Sequence, residues 1–293
     1  MSRVRVVTDS TVRFATPGFL ARHPVAIAPL TLRCHLDAWE ESPDDEIDSV
    51  RSLFERCQGY PLAEPPSTER MAEAYGQLAL ETDQIVSIHA SAHINPTVHN
   101  AQAASQKFLG RCSIQVVDSQ TLSSGLGLLV EAAVRAAEDG ADLDEVVRIV
   151  RGIVPRLYLV VFVADLTYLE RSGLVTRSQA LLGNMLGILP FLTMEDGKLV
   201  PMEKVRSRPR AVEKVVEFVS EFSDLEHLVL FQGQPDSTEE SRLIVDCVGT
   251  RRQSPLIPSP SPTAILTDSA AGGPRSLGLV GVLADPARGS RPA

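Results

Sequence analysis

Three histidines in residues 84–101, His89, His93 and His99, are the residue type that binds metal ions. Zinc sites combine histidine with cysteine or carboxylate ligands at short, regular spacings. His89 ends a predicted strand and His93 lies in the following turn, so their side chains do not share a helix face. No cysteine, aspartate or glutamate follows at the spacing of a zinc site. The sequence therefore predicts no metal site.

Motifs for covalent or phosphate chemistry are absent from the sequence. It contains no GxSxG nucleophile elbow and no GxGxxG or GxxxxGK[ST] phosphate loop. The four cysteines are far apart and include no CxxC pair, which predicts reduced thiols with a structural role or none. The sequence therefore contains no visible catalytic residues.

Residues 84–101 nevertheless have the pattern of a ligand-binding turn. Residues 85–88 predict a buried strand, and Asn95-Pro96-Thr97 predicts a helix start, with Asn95 as N-cap and Pro96 as first helical residue. In an open α/β sheet such a turn lies at the carboxyl end of a strand, where ligands usually bind. The unpaired N–H groups of the helix start favour an anion such as a carboxylate or phosphate. A strand–helix turn without a ligand is the alternative.

Two other predicted strands also end in polar residues. Residues 4–7 lead into TDST at 8–11, where Asp9 and Ser10 are site candidates or helix caps, and residues 114–117 lead into DSQT at 118–121. These strands alternate with predicted helices, which predicts a doubly wound, mostly parallel sheet. Right-handed crossovers put the three strand ends on one rim. We therefore expect a cleft lined by hydroxyl and amide groups.

The second half of the chain predicts a smaller α/β (α+β) domain with a mixed or antiparallel sheet. Its strongest signal is a hairpin, because two apolar runs flank Asp196-Gly197. We expect an N-terminal α/β domain at residues 1–160, a C-terminal domain at 161–284 and a tail at 285–293. The basic cluster of Arg206, Arg208 and Arg210 is either a solvated face or a contact for an acidic partner.

Length and charge exclude several classes of protein. The 293 residues are sufficient for two domains, and the net charge of −9 argues against nucleic-acid binding, which needs a basic surface. The longest apolar run, residues 157–164, is too short to span a bilayer, and the N-terminus lacks the apolar core of a signal peptide. We therefore expect a soluble cytoplasmic protein with no membrane span.

Several motifs, in order, resemble the DegV family over nearly the whole chain. They are VVTDST, the PPS loop, SIHAS, VVDSQTLSSGLGLLV, DLTYLERSG, QALLGNMLGILPFL, EDGKLVPMEKVRSRPRA and GGPRSLGL. The resemblance implies a two-domain fold similar to the lipid-carrying subunits of bacterial fatty-acid kinase, with an acyl chain in a tunnel between the domains. It implies a non-enzymatic protein that carries no cofactor and presents a long-chain fatty acid or related lipid to a separate kinase subunit.

The resemblance also implies which residues hold the ligand. The polar head would lie near Asn95, Pro96 and Thr97, with Ser67, Ser119 and Arg206 at other positions that match the family. The acyl chain would lie against a set of apolar residues. That set is Leu166, Leu169, Leu181, Leu182, Met185, Leu186 and Ile188.

This chain departs from the family at most positions of the carboxylate-binding network. Each departure replaces a polar or flexible residue of the family pattern. Ala63 and Glu64 replace Thr-Ser, Asn95 and Pro96 replace Ser-Gly, Leu174 replaces an arginine, and Ala271 or a neighbour replaces a histidine.

Three functions are therefore open. The chain binds a fatty acid through Asn95 and backbone N–H groups, or it binds a different small ligand such as another lipid on the same fold. Glu64 favours the second, because its charge would repel a carboxylate unless it points away. The third is an enzyme, since the fold is similar to the substrate domain of dihydroxyacetone kinase, in which a histidine bonds the substrate. His89, His93 or His99 would then act in that way.

Overall fold

The computed structural model describes residues 3–34, 37–43, 62–163, 166–171, 175–222, 225–232, 239–251, 257–258 and 277–284. Leu174, Ala271 and the expected tail at 285–293 lie outside these residues, as do residues 47–57, whose sequence predicts a helix. The strands are β1 (Arg5–Asp9), β2 (Val25–Ala28), β3 (Thr31–Cys34), β4 (Asp37–Glu40), β5 (Leu62–Glu64), β6 (Gln84–His89), β7 (Ser113–Asp118), β8 (Leu157–Phe162), β9 (Leu189–Glu195), β10 (Lys198–Val205), β11 (Leu225–Gln232), β12 (Ile257–Pro258) and β13 (Leu277–Leu283). The helices are α1 (Phe19–Arg22), α2 (Thr68–Leu78), α3 (Thr97–Ser105), α4 (Ser123–Glu138), α5 (Leu143–Ile153), α6 (Thr167–Arg171), α7 (Arg177–Met185), α8 (Arg208–Ser220) and α9 (Glu239–Arg251).

A parallel sheet of order β2-β1-β6-β7 forms the centre of the N-terminal unit, residues 3–156. Helices α4 and α5 cover one face through buried residues that include Leu126 and Val146. Helices α2 and α3 cover the other face through Met71 and Ala101. Helices on both faces of a parallel sheet confirm the predicted doubly wound fold.

The apolar pattern of residues 25–32 predicts one strand, but the structure divides these residues between two sheets. β2 pairs with β1 and ends at Ala28, whereas β3 begins at Thr31 and joins β4 and β5 in an antiparallel sheet. Pro29 separates the two strands, because proline has no N–H group to donate to a ladder. The apolar pattern continues through the break and so predicts one strand where the structure has two.

A sheet of order β10-β9-β8-β13-β11-β12 forms the C-terminal unit, residues 157–284. Its ladders are antiparallel except for β11 with β12, so the predicted mixed sheet is confirmed. Side chains of β8 alternate between faces: Leu159 and Val161 pack toward the N-terminal unit, and Val160 and Phe162 pack with α8 and α9. The expected domains at residues 1–160 and 161–284 remain a prediction; the described sheet of this unit begins at Leu157, in β8.

Apolar side chains of both units meet in one buried group, the inter-unit cluster. The N-terminal unit contributes Ala15, Leu122 and Leu128. The C-terminal unit contributes Leu159, Val161, Val163, Leu166, Leu169, Ala180, Leu192, Leu199, Val229, Val280 and Val282. Removal of this apolar surface from water holds the two units together.

The predicted Asp-Gly hairpin is confirmed, and it joins the units at a second place. β9 and β10 pair around Asp196 and Gly197, whose φ angles of 49° and 77° suit a two-residue hairpin turn. The hydroxyl of Ser91 donates a hydrogen bond to the carbonyl oxygen of Gly197 at 2.6 Å. The hairpin of the C-terminal unit therefore contacts the loop between β6 and α3.

Candidate functional site

The carboxyl ends of β1, β6 and β7 lie side by side and form the rim, residues 8–11, 89–97 and 118–124. β1 neighbours β6, and His89 of β6 is in register with Asp118 of β7. The loops after these strands bond to each other, since the Ser91 N–H donates to the Thr121 carbonyl at 2.9 Å. The structure therefore brings together the polar strand ends predicted from the sequence.

Helix α3 begins one residue later than the sequence predicts. Pro96 (φ −79°, ψ 12°) occupies the cap position, and the first helical residue is Thr97. Asn95 does not cap in the predicted way; its Oδ1 accepts a hydrogen bond from the Thr97 N–H at 3.0 Å, which forms an Asx turn. The cap residue, Pro96, has no side-chain acceptor for the N–H groups of the first turn of α3. The positive end of this helix lies at the rim.

Six buried polar groups on the rim have no hydrogen-bond partner among the described protein atoms. They are Nδ2 of Asn95 and the hydroxyl groups of Thr8, Thr97, Thr121, Ser123 and Ser124. A buried donor without a partner costs about 1–3 kcal/mol, so these groups suit a polar ligand. The three on residues 121–124 were not singled out from the sequence. Their signal was the run of hydroxyl residues that follows β7 and precedes the small residues of α4.

Ser67 and Ser119, both expected at the site, have structural bonds. Ser67 caps α2 by accepting a hydrogen bond from the Arg70 N–H at 3.3 Å. The preceding carbonyl of Pro66 accepts a hydrogen bond from the Asn100 side chain of α3 at 2.9 Å, which ties this loop to the helix of the site. The buried Ser119 hydroxyl bonds to the Thr121 backbone and so orders the rim.

Glu64 points toward a cation. Its carboxylate accepts two hydrogen bonds of 2.9 Å each from the Arg33 guanidinium, across the ladder of β3 and β5. The Arg33 hydrogen bond keeps the pKa of the Glu64 carboxyl below its ordinary value. Because the charge is paired, the expected repulsion between Glu64 and a carboxylate ligand does not follow from this structure.

Arg206 lies away from the rim. It follows the end of β10 opposite to the hairpin turn, nine residues after Gly197, and its side chain is exposed. At about 3.3 Å per residue, nine residues of extended chain place it up to about 30 Å from Gly197. Leu174 lies outside the described residues, so its expected position at the ligand is not addressed by the structure.

The residues expected to line the tunnel differ in their burial. Leu166 and Leu169 are buried in the inter-unit cluster, but four residues on or just after α7 are more than half exposed. These are Leu181, Leu182, Met185 and Leu186. The helix turns its small residues inward, because a side chain at Gly183 would come within 2.6 Å of Leu166. Close packing through Ala180 and Gly183 leaves the larger side chains outside.

A chain of buried hydrogen bonds runs beneath the rim. His89 bonds through Nδ1 to the Asp9 carboxylate (3.1 Å) and through Nε2 to the Ser87 hydroxyl (2.7 Å), which accepts a bond from Tyr75 (2.8 Å). Burial alone would raise the pKa of Asp9, but the hydrogen bond and charge of His89, with bonds from Thr11 and the Ala90 N–H, lower it. All of these side chains are buried, and both ring nitrogens of His89 are bonded to protein groups.

Ser10 is also committed to structure. Its hydroxyl donates to Glu41 (2.9 Å) and accepts from the Leu30 N–H (2.9 Å), and Glu41 forms a buried ion pair with Arg13 at 3.0 Å. Such buried charges are stable only when they are paired. Ser10 therefore anchors the end of β1 to the segments that follow β2 and β4.

The described residues contain neither a cluster of metal ligands nor a helix suited to a membrane. No three histidine, cysteine or acidic side chains in this part of the chain are grouped closely enough to hold a metal ion. None of the helices described above combines the length and apolar character that a bilayer crossing needs.

Residues 3–245 match a family model described as an uncharacterised protein of the DegV family. A DegV domain-containing protein of Streptomyces coelicolor is 31% identical over 75% of this chain and 78% of its own length. A DegV domain-containing protein of Deinococcus radiodurans is 30% identical over 75% of this chain and 77% of its own.

Solved structures share the fold. A DegV family protein of Thermus thermophilus, described as fatty-acid binding, superposes with a TM-score of 0.81 at 23% identity, over 96% of this chain and 100% of that one. The Bacillus subtilis protein DegV, described as a fatty acid binding protein, gives 0.80 at 21% identity over 97% and 100%. A Eubacterium eligens protein loaded with heptadecanoic acid gives 0.80 at 17% identity over 96% and 100%.

Proposed function

Because the chain belongs to the DegV family, we propose that it binds a long-chain fatty acid between its two units. The carboxylate lies on the rim at the start of α3, and the acyl chain lies in the inter-unit cluster. The protein binds its ligand and does not transform it.

The observation that carries this proposal is the continuity of a polar and an apolar surface. Ile94 packs against the inter-unit cluster, and the next residue, Asn95, has a buried side-chain N–H group without a partner. A ligand with a polar head and an apolar tail matches this change over a single residue. Burial of an acyl chain at about 25 cal/mol per Å² would supply most of the affinity, and the head would fix the orientation.

Neutral donors suffice for the head group in this proposal. Asn95 Nδ2 and the Thr97 hydroxyl stand beside the positive end of α3, where a carboxylate is stabilised. Hydrogen bonds to a charged acceptor are stronger than those between neutral groups. They would partly compensate for the absence of the arginine and the histidine that the family pattern has and this chain lacks.

No described contact favours the other two functions. A different head group was favoured by the charge of Glu64, and that charge is paired with Arg33. A histidine nucleophile at position 89 would be buried and bonded on both ring nitrogens. His93 and His99 are exposed, but neither has a carboxylate partner among the described residues.

A kinase partner in the cytoplasm rests on the resemblance alone. The exposed side of Arg206 and Arg210 is our candidate contact for it. The test is transfer of phosphate from ATP to the bound fatty acid when a purified fatty-acid kinase is added to the loaded protein. Transfer to free fatty acid at the same rate would exclude a presenting role.

The proposed ligand is tested by native mass spectrometry of the purified protein, followed by solvent extraction and identification of what is bound. A fatty acid is expected. A different lipid would replace the fatty acid in the proposal, and a protein that is empty and takes up no added fatty acid would refute it.

The head position is tested by Thr97→Val, which removes the hydroxyl and keeps the shape. We expect about fivefold weaker binding of a fluorescent fatty acid, as for the loss of one hydrogen bond. Ser105→Ala is the matched control, because Ser105 ends the same helix and its hydroxyl bonds only to the Gln102 carbonyl. Equal affinity of both variants would contradict the assigned head position.

A further inference from the structure

A groove of about 640 Å³ runs between α8 and α9 on the outer face of the C-terminal unit. Positions 209, 212, 213, 216 and 217 of α8 line one wall, a spacing that places them on a single helix face. Positions 239, 240, 243 and 247 of α9 line the other wall. Each wall spans nine residues, an axial rise of about 12 Å or about two helical turns.

The floor of the groove is apolar and partly open to solvent. Val212 is buried, Val216 is half-buried, and Leu243 is 52% exposed although its helix is otherwise packed on the sheet through Ile244. Leu243 is thus a large apolar side chain at the surface of a concave site. Such a side chain in a groove is a typical anchor point for a protein partner.

All the charged residues that line the groove are glutamates. Glu213 and Glu217 stand on the α8 wall, and Glu239 and Glu240 stand on the α9 wall. Three of them have a cation outside the lining: Arg208 pairs with Glu240 at 2.6 Å, Arg210 with Glu213 at 2.6 Å, and Lys214 with Glu217 at 2.9 Å. Among the described residues, Glu239 has no ion-pair partner. The two acidic walls flank the apolar floor.

We propose that this groove binds an amphipathic helix of a partner protein that carries lysine or arginine on both sides of an apolar stripe. The apolar stripe would cover Leu243 and Val216, and the basic side chains would meet the acidic walls. Exposed ion pairs contribute only about 0–1 kcal/mol each, so a partner's cations can replace Arg210 and Lys214 at little cost. A metal ion is a poor alternative, because three of the carboxylates are held apart by their own cations.

The groove is independent of the proposed lipid site. Helices α8 and α9 pack on the face of the sheet formed by Val160, Phe162 and Leu279. The inter-unit cluster uses the opposite face, through Leu159, Val161 and Val280. Loss of partner binding would leave fatty-acid binding unchanged, so the two proposals fail separately.

The test is a titration of the whole protein with a fluorescein-labelled helical peptide that has leucine at positions i, i+3, i+4 and i+7 and lysine elsewhere. We expect binding that weakens as salt is added. Leu243→Asp, and separately Glu239→Lys with Glu213→Lys, should each weaken it about tenfold or more. A second peptide with glutamate in place of each lysine should not bind.

Matched changes on the N-terminal unit control for nonspecific attraction to an acidic protein. Leu80→Asp replaces a leucine that is 80% exposed, and Glu73→Lys reverses an exposed charge on α2. Equal binding by Leu243→Asp and Leu80→Asp would overturn the proposal, as would no binding of the lysine peptide or equal binding of the glutamate peptide. If sedimentation shows a dimer that Leu243→Asp dissociates, the groove is an interface between two copies of this chain and the proposed partner is wrong.

Discussion

The guanidinium of Arg33 holds the carboxylate of Glu64 through two parallel hydrogen bonds of 2.9 Å. The pair joins β3 and β5, two strands whose residues are about thirty positions apart in the chain. The charge of Glu64 would by itself repel an acidic ligand, but that charge is already paired with Arg33.

We therefore expect Glu64→Gln to change fatty-acid affinity by less than about threefold, since a difference of that size is below 1 kcal/mol. Arg33→Gln should weaken binding more, because it leaves the Glu64 charge unpaired. Displacement of a fluorescent fatty acid measures both. A large gain in affinity for Glu64→Gln alone would mean that Glu64 does repel the ligand.

The Asp9–His89 pair predicts a loss of stability in acid. Folding lowers the pKa of Asp9 from its ordinary value of 3.8, so the folded state stabilises the ionised form. That contribution is fully present above about pH 4 and disappears as the pH falls through the lower, folded-state pKa. Urea unfolding as a function of pH should show this decline, and Asp9→Asn should flatten it.

Removal of the His89 side chain should lower the free energy of unfolding more than protonation of Asp9 does. His89→Leu leaves the Asp9 carboxylate buried beside an apolar side chain, which typically costs about 3–5 kcal/mol. His89→Gln can still donate a hydrogen bond and should cost less. Equal unfolding free energies for the two variants would show that the pair contributes little beyond packing.

The contact between Ser91 and Gly197 can be isolated with two glycines of equal backbone conformation. Gly197 and Gly110 both have φ of 77°, but a Cβ at Gly197 would meet the Ser91 oxygen at 2.6 Å, whereas one at Gly110 meets nothing within 4 Å. Gly110→Ala should therefore report the cost of the backbone alone, about 1 kcal/mol. Gly197→Ala should cost more and should also lower fatty-acid affinity, because the rim shifts. Equal losses of unfolding free energy for the two substitutions would show that the contact between Ser91 and the hairpin does not contribute to stability.

The exposure of the α7 leucines gives a further prediction. Leu182→Gln should change the unfolding free energy by less than about 0.5 kcal/mol, whereas Leu169→Ala, in the inter-unit cluster, should cost about 2–5 kcal/mol. Fatty-acid affinity should follow the same order. A marked loss of binding for Leu182→Gln would restore the tunnel role expected from the family resemblance.

The elements and the rim were largely predictable from sequence because they depend on local signals. Alternating apolar strands, the polar residues that end them and the Asp196-Gly197 turn each act over a few residues. The division at Pro29 was visible in principle, since proline interrupts a ladder.

Three features were not predictable, because each depends on residues distant in the chain. Glu64 could not be matched to Arg33 without knowing that β3 pairs with β5. Hydrophobicity alone predicts that the leucines of α7 face inward, but Gly183 and Ala180 allow closer packing against Leu166. The hydroxyl groups of residues 121–124 became site candidates only when their burial and lack of partners were known.

The Ser91 hydroxyl donates its hydrogen bond to a main-chain carbonyl oxygen. This contact between the two units therefore depends on the backbone conformation of the turn and does not depend on the identity of the turn's side chains. Any pair of residues at 196–197 that tolerates positive φ and leaves room for Ser91 would present the same carbonyl. Substitution at positions 196 and 197 is therefore limited by backbone conformation, whereas Leu192 and Leu199 of the same hairpin are constrained by their burial in the inter-unit cluster. The backbone conformation of Asp196 and Gly197 therefore helps to set how the two units align.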